Sequence, residues 1–545
     1  MTSDRRLAAL TLFALLLQAP FSPAASPAEG PAAALAKVPG VIIDHIPASS
    51  GIYIGSPSIA VLPNGDYVAS HDHFGPKSTE HQSAVTAIFR SRDRGATWQK
   101  IATVQGQFWS TLFVHRGKLY LIGTDRHHGN AIIRRSADGG ATWTSPADAR
   151  SGLLRSDGQY HCGPMPVTEH QGRLWRAIER RDPPQGWGIT YRAGVLSVPA
   201  DADLLDAANW TCSHFLPGDA RWLGGTFGGW LEGNAIPARD GTMLDVLRVD
   251  TAGYPEKAAL VSVSPDGRTL SFDPATGFTD FPGGAKKFTI RFDAKTDLYW
   301  SLATLVPERH QKGAYGKKPG GVRNSLALVS SPDLRHWSTR CLLLHHPDTF
   351  RVGFQYVDWL FDGEDIIAAC RTAYDDGLGG AHNNHDANFL TFHRWKNFRN
   401  LAQADSVPMH TLVAETPDFI VTGWAWTLEK FANGEKAFSN REYVWSGIPQ
   451  GLAAGRFTRI PGGEHAEIRV VARRDTTVRM ATAATPKADA LTGWTRLPSA
   501  EFRYTDAEPT RMAVFTQGIK AGEELVLPQV NWTGSLLLIP DAGTP

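Results

Sequence analysis

The chain is predicted to be an all-β protein, with a β-propeller over residues 38–400 followed by a β-sandwich over residues 401–545. Three observations predict this. A motif of the form Ser-x-Asp-x-Gly-x-Thr-Trp occurs at Ser91–Trp98 and Ser136–Trp143, with degenerate echoes at Ser264–Phe272 and Ser331–Trp337. Strand–turn–strand units with polar or glycine-containing turns fill the intervals. Helical periodicity is nearly absent, whereas repeats of this length are the mark of blades around an axis.

The first 25 residues read as a secretory signal. Arg5 and Arg6 precede the apolar run Leu7–Leu17, and Pro23-Ala24-Ala25 forms a small-residue exit. This predicts a secreted or periplasmic protein. The apolar run is too short to span a bilayer comfortably, and no later segment resembles a membrane helix. Formal net charge is +1 over 545 residues, which argues against a nucleic-acid partner but leaves room for a local basic pocket. The four cysteines, Cys162, Cys212, Cys341 and Cys370, are too widely spaced for a metal pattern and read as packing residues.

Each motif copy follows an apolar β-rich run, which makes it a hairpin corner. The Asp caps backbone amides, the Gly accepts the strained φ, and the Trp packs beneath. The first hairpin, "SPSIAVLPNGDYVAS", turns at Asn64-Gly65. Further hairpins are "TLFVHRGKLYLIGT", "MPVTEHQGRLWRAIE", "AIPARDGTMLDVLRV", "TIRFDAKTDLYWSLA" and "YVDWLFDGEDIIAACR". Together they make six units between about Ile54 and Arg399. Beyond Asn400 the strands alternate without the motif, the expected texture of a sandwich that braces the propeller or binds carbohydrate.

Polar groups gather at the ends of these strands, where a propeller would bring them to one mouth of its channel. They include His71, Asp72, His73, Glu80 and His81, then Asp125 to His128, Tyr160 and His161, and Glu179 to Arg181. Later blades add Glu232, Asn234, Arg248, Asp250, Arg323, Asn324, Arg371, Tyr374, Asp375, His382, Asn383, His385 and Asp386. Arginine holds a carboxylate bidentately, while histidine and tyrosine move protons, so the set suits an anionic substrate. "HNNHD" (382–386) lacks a third metal ligand. "YDDG" (374–377) offers oxygens to calcium without a complete loop. No cofactor is required by these patterns, and calcium is the one left open.

The repeated motif is the Asp box, and the chain thereby resembles sialidase-like β-propellers. In those enzymes the box lies on outer hairpins and reports fold rather than chemistry. Sialidases begin a carboxylate-binding arginine triad with Arg-Ile-Pro. Here the corresponding segment is "GSPS", with Gly55 in the arginine's place, and no Tyr–Glu nucleophile pair is assignable by inspection. A longer resemblance runs through Asp44–Asp72, Trp230–Asp250, Arg323–Trp337 and Gly353–Arg394. These stretches resemble propeller enzymes that release terminal L-rhamnose linked α-1,4 to D-glucuronate on plant arabinogalactan and gum arabic. That group was first described as α-L-rhamnosidases, and related members are rhamnose-glucuronate lyases. The resemblance implies seven blades, a C-terminal sandwich, and one essential histidine, matched to His71 with His73 as the alternative.

The expectation is therefore an exo-acting lyase releasing rhamnose from rhamnose-capped glucuronate. Elimination at a uronate needs a neutralised carboxylate, a base for the C5 proton and an acid for the C4 oxygen. His71 is the expected base, Tyr374 the candidate acid, and Arg371 or Arg323 the carboxylate clamp. His81, His161, Arg192, Glu232 and His382 are supporting substrate-binding candidates. Hydrolysis of the same bond would instead use two carboxyl groups, for which Asp72, Glu80, Glu179 and Glu232 are available. An exo-sialidase and a non-catalytic glycan-binding propeller remain as alternatives.

Overall fold

The computed structural model describes residues 31–540 apart from 184–185, 312–317, 410–411, 440, 453–454 and 464–465. The signal segment lies outside the described residues. No helix among them is long and apolar enough to cross a membrane.

Six antiparallel sheets form the propeller. The first five run in chain order from Tyr53–Ile54 to Ser338–His345. The sixth is built from Gly353–Asp362, Asp365–Ala373 and Phe389–Trp395, and its outer strand is the N-terminal Val41–His45. Pairing the chain's beginning with its last blade closes the ring. The seventh blade implied by the resemblance is not formed among the described residues. The N-terminal segment that would have seeded it is spent on this closure, and the strands after residue 411 enter the sandwich.

Every hairpin expected from the sequence is the inner hairpin of a blade. The Asp boxes join third to fourth strands, on the outside. In the first, Asp93 accepts from the Thr97 amide at 2.9 Å and the Ser91 hydroxyl at 2.8 Å, while Trp98 Nε1 donates to the Gly95 carbonyl. The second repeats these bonds through Asp138, Ser136, Thr142 and Trp143. In the Asn64-Gly65 turn only Gly65 takes a positive φ, and Asn64 instead accepts from the Asp66 amide.

The innermost strands are irregular in a regular way. In blades two, four and six the strand bulges, at Trp109, Glu232 and Tyr356, and each of these takes a left-handed φ of +48°, +55° and +54°. Large side chains rarely adopt that region, so each bulge has to be imposed by its surroundings. Two residues on, the side chain bonds the next blade. Thr111 donates to the Met165 carbonyl, Asn234 accepts from the Ile290 amide, and Asp358 accepts from the Ile59 amide and Ser58 hydroxyl at 3.0 and 2.7 Å. The same bulge thus aims one residue at the channel mouth and the next-but-one at the ring seam.

Asp358 joins the last blade to the first and is buried. Asp358→Ala leaves a buried amide and hydroxyl unpaired, and is expected to cost about 3 kcal/mol in denaturant unfolding. A loss below roughly 1 kcal/mol would mean the seam does not depend on it.

After the ring come a four-stranded and a seven-stranded sheet that share one apolar core, with Trp445, Phe457, Met480 and Phe515 at its centre. Phe350 of the propeller packs against that core. All four cysteines are free, three of them buried, as packing residues should be.

Candidate functional site

A cavity of about 330 Å³ opens at the channel mouth. Its wall brings together Gly55, Phe74 and Glu80, then Trp109 and His127, and Trp187 at the rim. Arg248, Arg323, Tyr356, Arg371 and His385 complete it from blades four to six. The volume suits one sugar ring with part of a second.

Three guanidinium groups converge on Tyr356. Arg248 Nη1 stands 2.9 Å from Glu232 Oε2 and 3.4 Å from the Tyr356 hydroxyl, bridging the two. Arg371 and Arg323 lie 4.9 and 5.9 Å from the centre of the Tyr356 ring. Arg323 donates to the side chain of Gln355 and Arg371 to the His385 carbonyl, and neither forms an ion pair among the described residues. Burial, opposed by Tyr356 but helped by Arg248 and Arg371, presses the Arg323 pKa down to about 10. Burial lowers Arg371 as well. Two buried cations with acidic groups near but none in ion-pair range among the described residues make a site that can take an anion.

Against its own burial, Glu232 is held below the usual carboxylate range by Arg248, with His161 and the Tyr356 hydroxyl assisting. Burial and then Glu232 raise the Tyr356 phenol, although the three arginines pull it the other way. An ionised carboxylate beside a neutral phenol is a base–nucleophile pair.

The neighbouring blades hold the bulges that aim these residues. Lys287 donates to the Val357 carbonyl at 2.8 Å, and the Gln355 amide reaches the Asn384 and His385 carbonyls. Glu179 accepts from the Gly233 amide at 3.2 Å. Asp72 accepts from the Trp109 amide at 2.7 Å.

Asp72 is fully buried, and burial raises its pKa to about 7 despite bonds from Thr86, Trp109 and Ser56. Thr86 Oγ1 lies 2.7 Å from Asp72 Oδ1 and 2.8 Å from the Gln107 carbonyl. One hydroxyl has one proton, so a protonated Asp72 donating to Thr86 satisfies all three groups. Between the unfolded value near 3.8 and about 7 the native state therefore holds an extra proton. Stability is expected to fall as pH rises through that window. Asp72→Asn should flatten this part of the stability–pH curve in urea titrations; an unchanged slope would contradict a neutral Asp72.

The residues expected from the sequence divide into two groups. Arg371 and Arg323 line the cavity, and Glu232 is buried behind Arg248. His71 is fully buried behind the wall, with Nε2 2.8 Å from Asp44 Oδ2 and Nδ1 3.0 Å from the Asp72 carbonyl. His73 is beside it, its pKa lowered to about 4 by burial. Tyr374 packs against His346 and Phe354 rather than lining the cavity. His161 is a buried support, bonded to Glu179 at 2.7 Å and lying under Trp109. Arg192 pairs with Asp182 away from the cavity. His382 is exposed and stacks on Tyr53. His81 is exposed beside Glu80 and His127. Asp376 of the "YDDG" stretch is occupied by His45 and by the amides of its own turn.

Sequence reasoning missed Tyr356 and Trp109, and passed over Arg248 as one strand end among many. The structure does bring a tyrosine and a glutamate together here, Tyr356 and Glu232, bridged by Arg248. Gly55 is a closed position, because a Cβ there would lie 2.6 Å from the Asp72 carbonyl oxygen. A third guanidinium comes instead from Arg371 on blade six. The runs "QYVD" and "LEGN" read as ordinary inner strands, because each bulge is held from a neighbouring blade, by Lys287 and by Glu179.

No protein-family model matches this chain, and no curated protein matches it. Among solved structures it is similar to an α-L-arabinanase of Penicillium chrysogenum complexed with arabinobiose, at 14% identity over 66% of this chain and 98% of that one, TM-score 0.41. It is also similar to the Hadza microbial sialidase Hz136, at 13% identity over 66% and 69%, TM-score 0.45. A mutant of Trypanosoma rangeli sialidase displaying trans-sialidase activity aligns over 90% and 88%, at 13% identity and TM-score 0.40. These likenesses are distant, and the chemistry open to this chain is set by its own residues.

Proposed function

We propose that the protein is an exo-acting glycosidase for a terminal sugar bearing a carboxylate on its anomeric carbon, the sialic-acid class. The observation that carries this reading is the pair of buried arginines without an ion-pair partner among the described residues, Arg323 and Arg371, beside the Tyr356–Glu232 couple. The arginines bind the sugar carboxylate. Tyr356 Oη attacks the anomeric carbon and passes its proton to Glu232. A neutral phenol suits this carbon, since a carboxylate nucleophile would meet the substrate's own carboxylate at close range. Glu80 is on the cavity wall with Oε2 buried and unpartnered, and serves as the acid for the departing oxygen and then as the base for water. Trp187, 48% exposed at the rim, offers a face to the leaving sugar.

A second reading keeps the expected rhamnose–glucuronate lyase. The same arginines would neutralise a glucuronate carboxylate, and Tyr356 would be the base toward C5. The location of His71 behind the wall favours the first reading. Purified protein incubated with sialosides and with rhamnose-capped glucuronides, followed by product mass and ultraviolet absorbance, separates them. Release of a hydrated acidic sugar supports the glycosidase. Rhamnose with an unsaturated uronate supports the lyase and overturns the glycosidase.

A further inference from the structure

We propose that Glu80, His81 and His127 form a site for a divalent transition metal of the zinc class, and that an ion held there inhibits the enzyme by withholding Glu80. The inhibitory half rests on the role given to Glu80 above; the metal site does not.

The three side chains come from two loops that meet on the cavity wall, where the His127 amide donates to the Glu80 carbonyl at 2.8 Å. His81 Nε2 is 3.3 Å and His127 Nδ1 3.7 Å from Glu80 Oε1, and one ligand atom from each residue lies within 4.8 Å of the others. Ligands about 2.0–2.1 Å from a tetrahedral ion stand roughly 3.3 Å apart. The group is therefore close to bonding geometry, and His81, with a side chain 70% exposed, is free to close the remainder by rotation.

Two of the atoms concerned are otherwise hard to account for. His127 Nδ1 and Glu80 Oε2 are both buried without a hydrogen-bond partner, a cost that folded proteins avoid unless the atoms serve something. The His127 ring is fixed between Trp109 and the His81 imidazole, at centroid distances of 4.6 and 4.5 Å. The adjacent His128 does not compete, because Arg181 and Tyr191 occupy its two ring nitrogens.

Two imidazoles and one carboxylate are the donor set of zinc-class ions, whereas calcium and magnesium take six or more oxygens. Three protein ligands leave an open position, and Glu80 and His127 both face the sugar cavity. A cation bound at Glu80 Oε1 would hold the carboxyl in its ionised form, so that Oε2 could not carry the proton for the departing oxygen, and occupancy and turnover become mutually exclusive.

The test is titration of chelator-stripped full-length protein with Co²⁺, read by visible absorption, and with Zn²⁺, read by calorimetry. The expected result is saturation near one equivalent per chain, with the intense visible bands of a low-coordinate cobalt site. Glu80→Gln and His127→Ala should abolish these bands, and His81→Ala should weaken binding at least about tenfold. Thermal melts establish that each variant is folded. Zn²⁺ should slow wild-type turnover in step with occupancy, and His81→Ala should need about tenfold more zinc for the same fractional inhibition of its own metal-free rate. Absence of stoichiometric binding, or binding unchanged in all three variants, would overturn the site. Binding without inhibition would overturn the link to Glu80. A chain inactive on every glycoside would refute the catalytic reading, while the cobalt spectrum would still decide the metal site.

Discussion

Tyr356→Phe is expected to lower kcat/KM by more than about 10³-fold, the scale seen when a nucleophile is removed from an intact site, while leaving the fold and anion binding in place. The phenylalanine ring keeps the packing surface that lies 4.9 Å from Arg371 and 5.9 Å from Arg323. Only the hydroxyl near Arg248 and Glu232 is lost. Because burial and Glu232 raise the phenol's pKa, the resting group is neutral at ordinary pH. In the proposed mechanism it becomes a nucleophile only as Glu232 accepts its proton. The activity should therefore also fall at acid pH, where Glu232 is protonated. The measurement is kcat/KM alongside the affinity of an unreactive carboxylate inhibitor. A variant retaining a tenth of the parent rate would remove Tyr356 from the chemistry. His71→Ala is the counterpart control, because a complete loss there with a folded protein would return the argument to the lyase.

Arg371→Met is expected to separate function from stability. Truncating one partner of a buried charge-assisted contact costs roughly 2–5 kcal/mol, or about 30- to 5,000-fold in kcat/KM for carboxylate substrates. Substrates whose carboxylate is masked as an amide should lose little. The apo protein is expected to melt at the same or a higher temperature, because the variant no longer buries a guanidinium that has no ion-pair partner among the described residues and lies 4.4 Å from the Phe74 ring. The same substitution at Arg248 should behave differently: Glu232 would be left buried and unpaired, and the protein should lose stability as well as activity. Calorimetric melts of the two variants, set beside their kinetics, check both statements. A fall in melting temperature for Arg371→Met comparable to that of Arg248→Met would mean Arg371 is a structural cation.

Much of the fold was legible because its signals are local. An Asp box is complete within eight residues of chain: Asp93 accepts from Ser91 and Thr97, and Trp98 donates to Gly95. Each inner hairpin likewise carries its turn and its alternation within one short run, so the blades can be counted along the chain. The blade number suggested by resemblance failed because ring closure is not local: Val41–His45 pairs with a strand some 350 residues later.

The site was half legible for the same reason. Residue types at strand ends pointed to a pocket bearing arginines, and Arg371 and Arg323 line the cavity while Glu232 is buried against Arg248 behind it. His71 was conspicuous in "SHDH", yet strand alternation and the Asp44 and Asp72 contacts turn it behind the wall. Tyr356, in the middle of what reads as an ordinary buried strand, was invisible. By itself the sequence determined the repeat, the hairpins, the all-β class and the chemical character of the mouth, since these follow from short-range patterns of polarity and turn residues. The tertiary structure alone decided which side chains face the cavity. Three backbone bulges held by neighbouring blades rotate Trp109, Glu232 and Tyr356 out of the strand's regular alternation, and a rotation imposed from another blade leaves no mark in the local sequence.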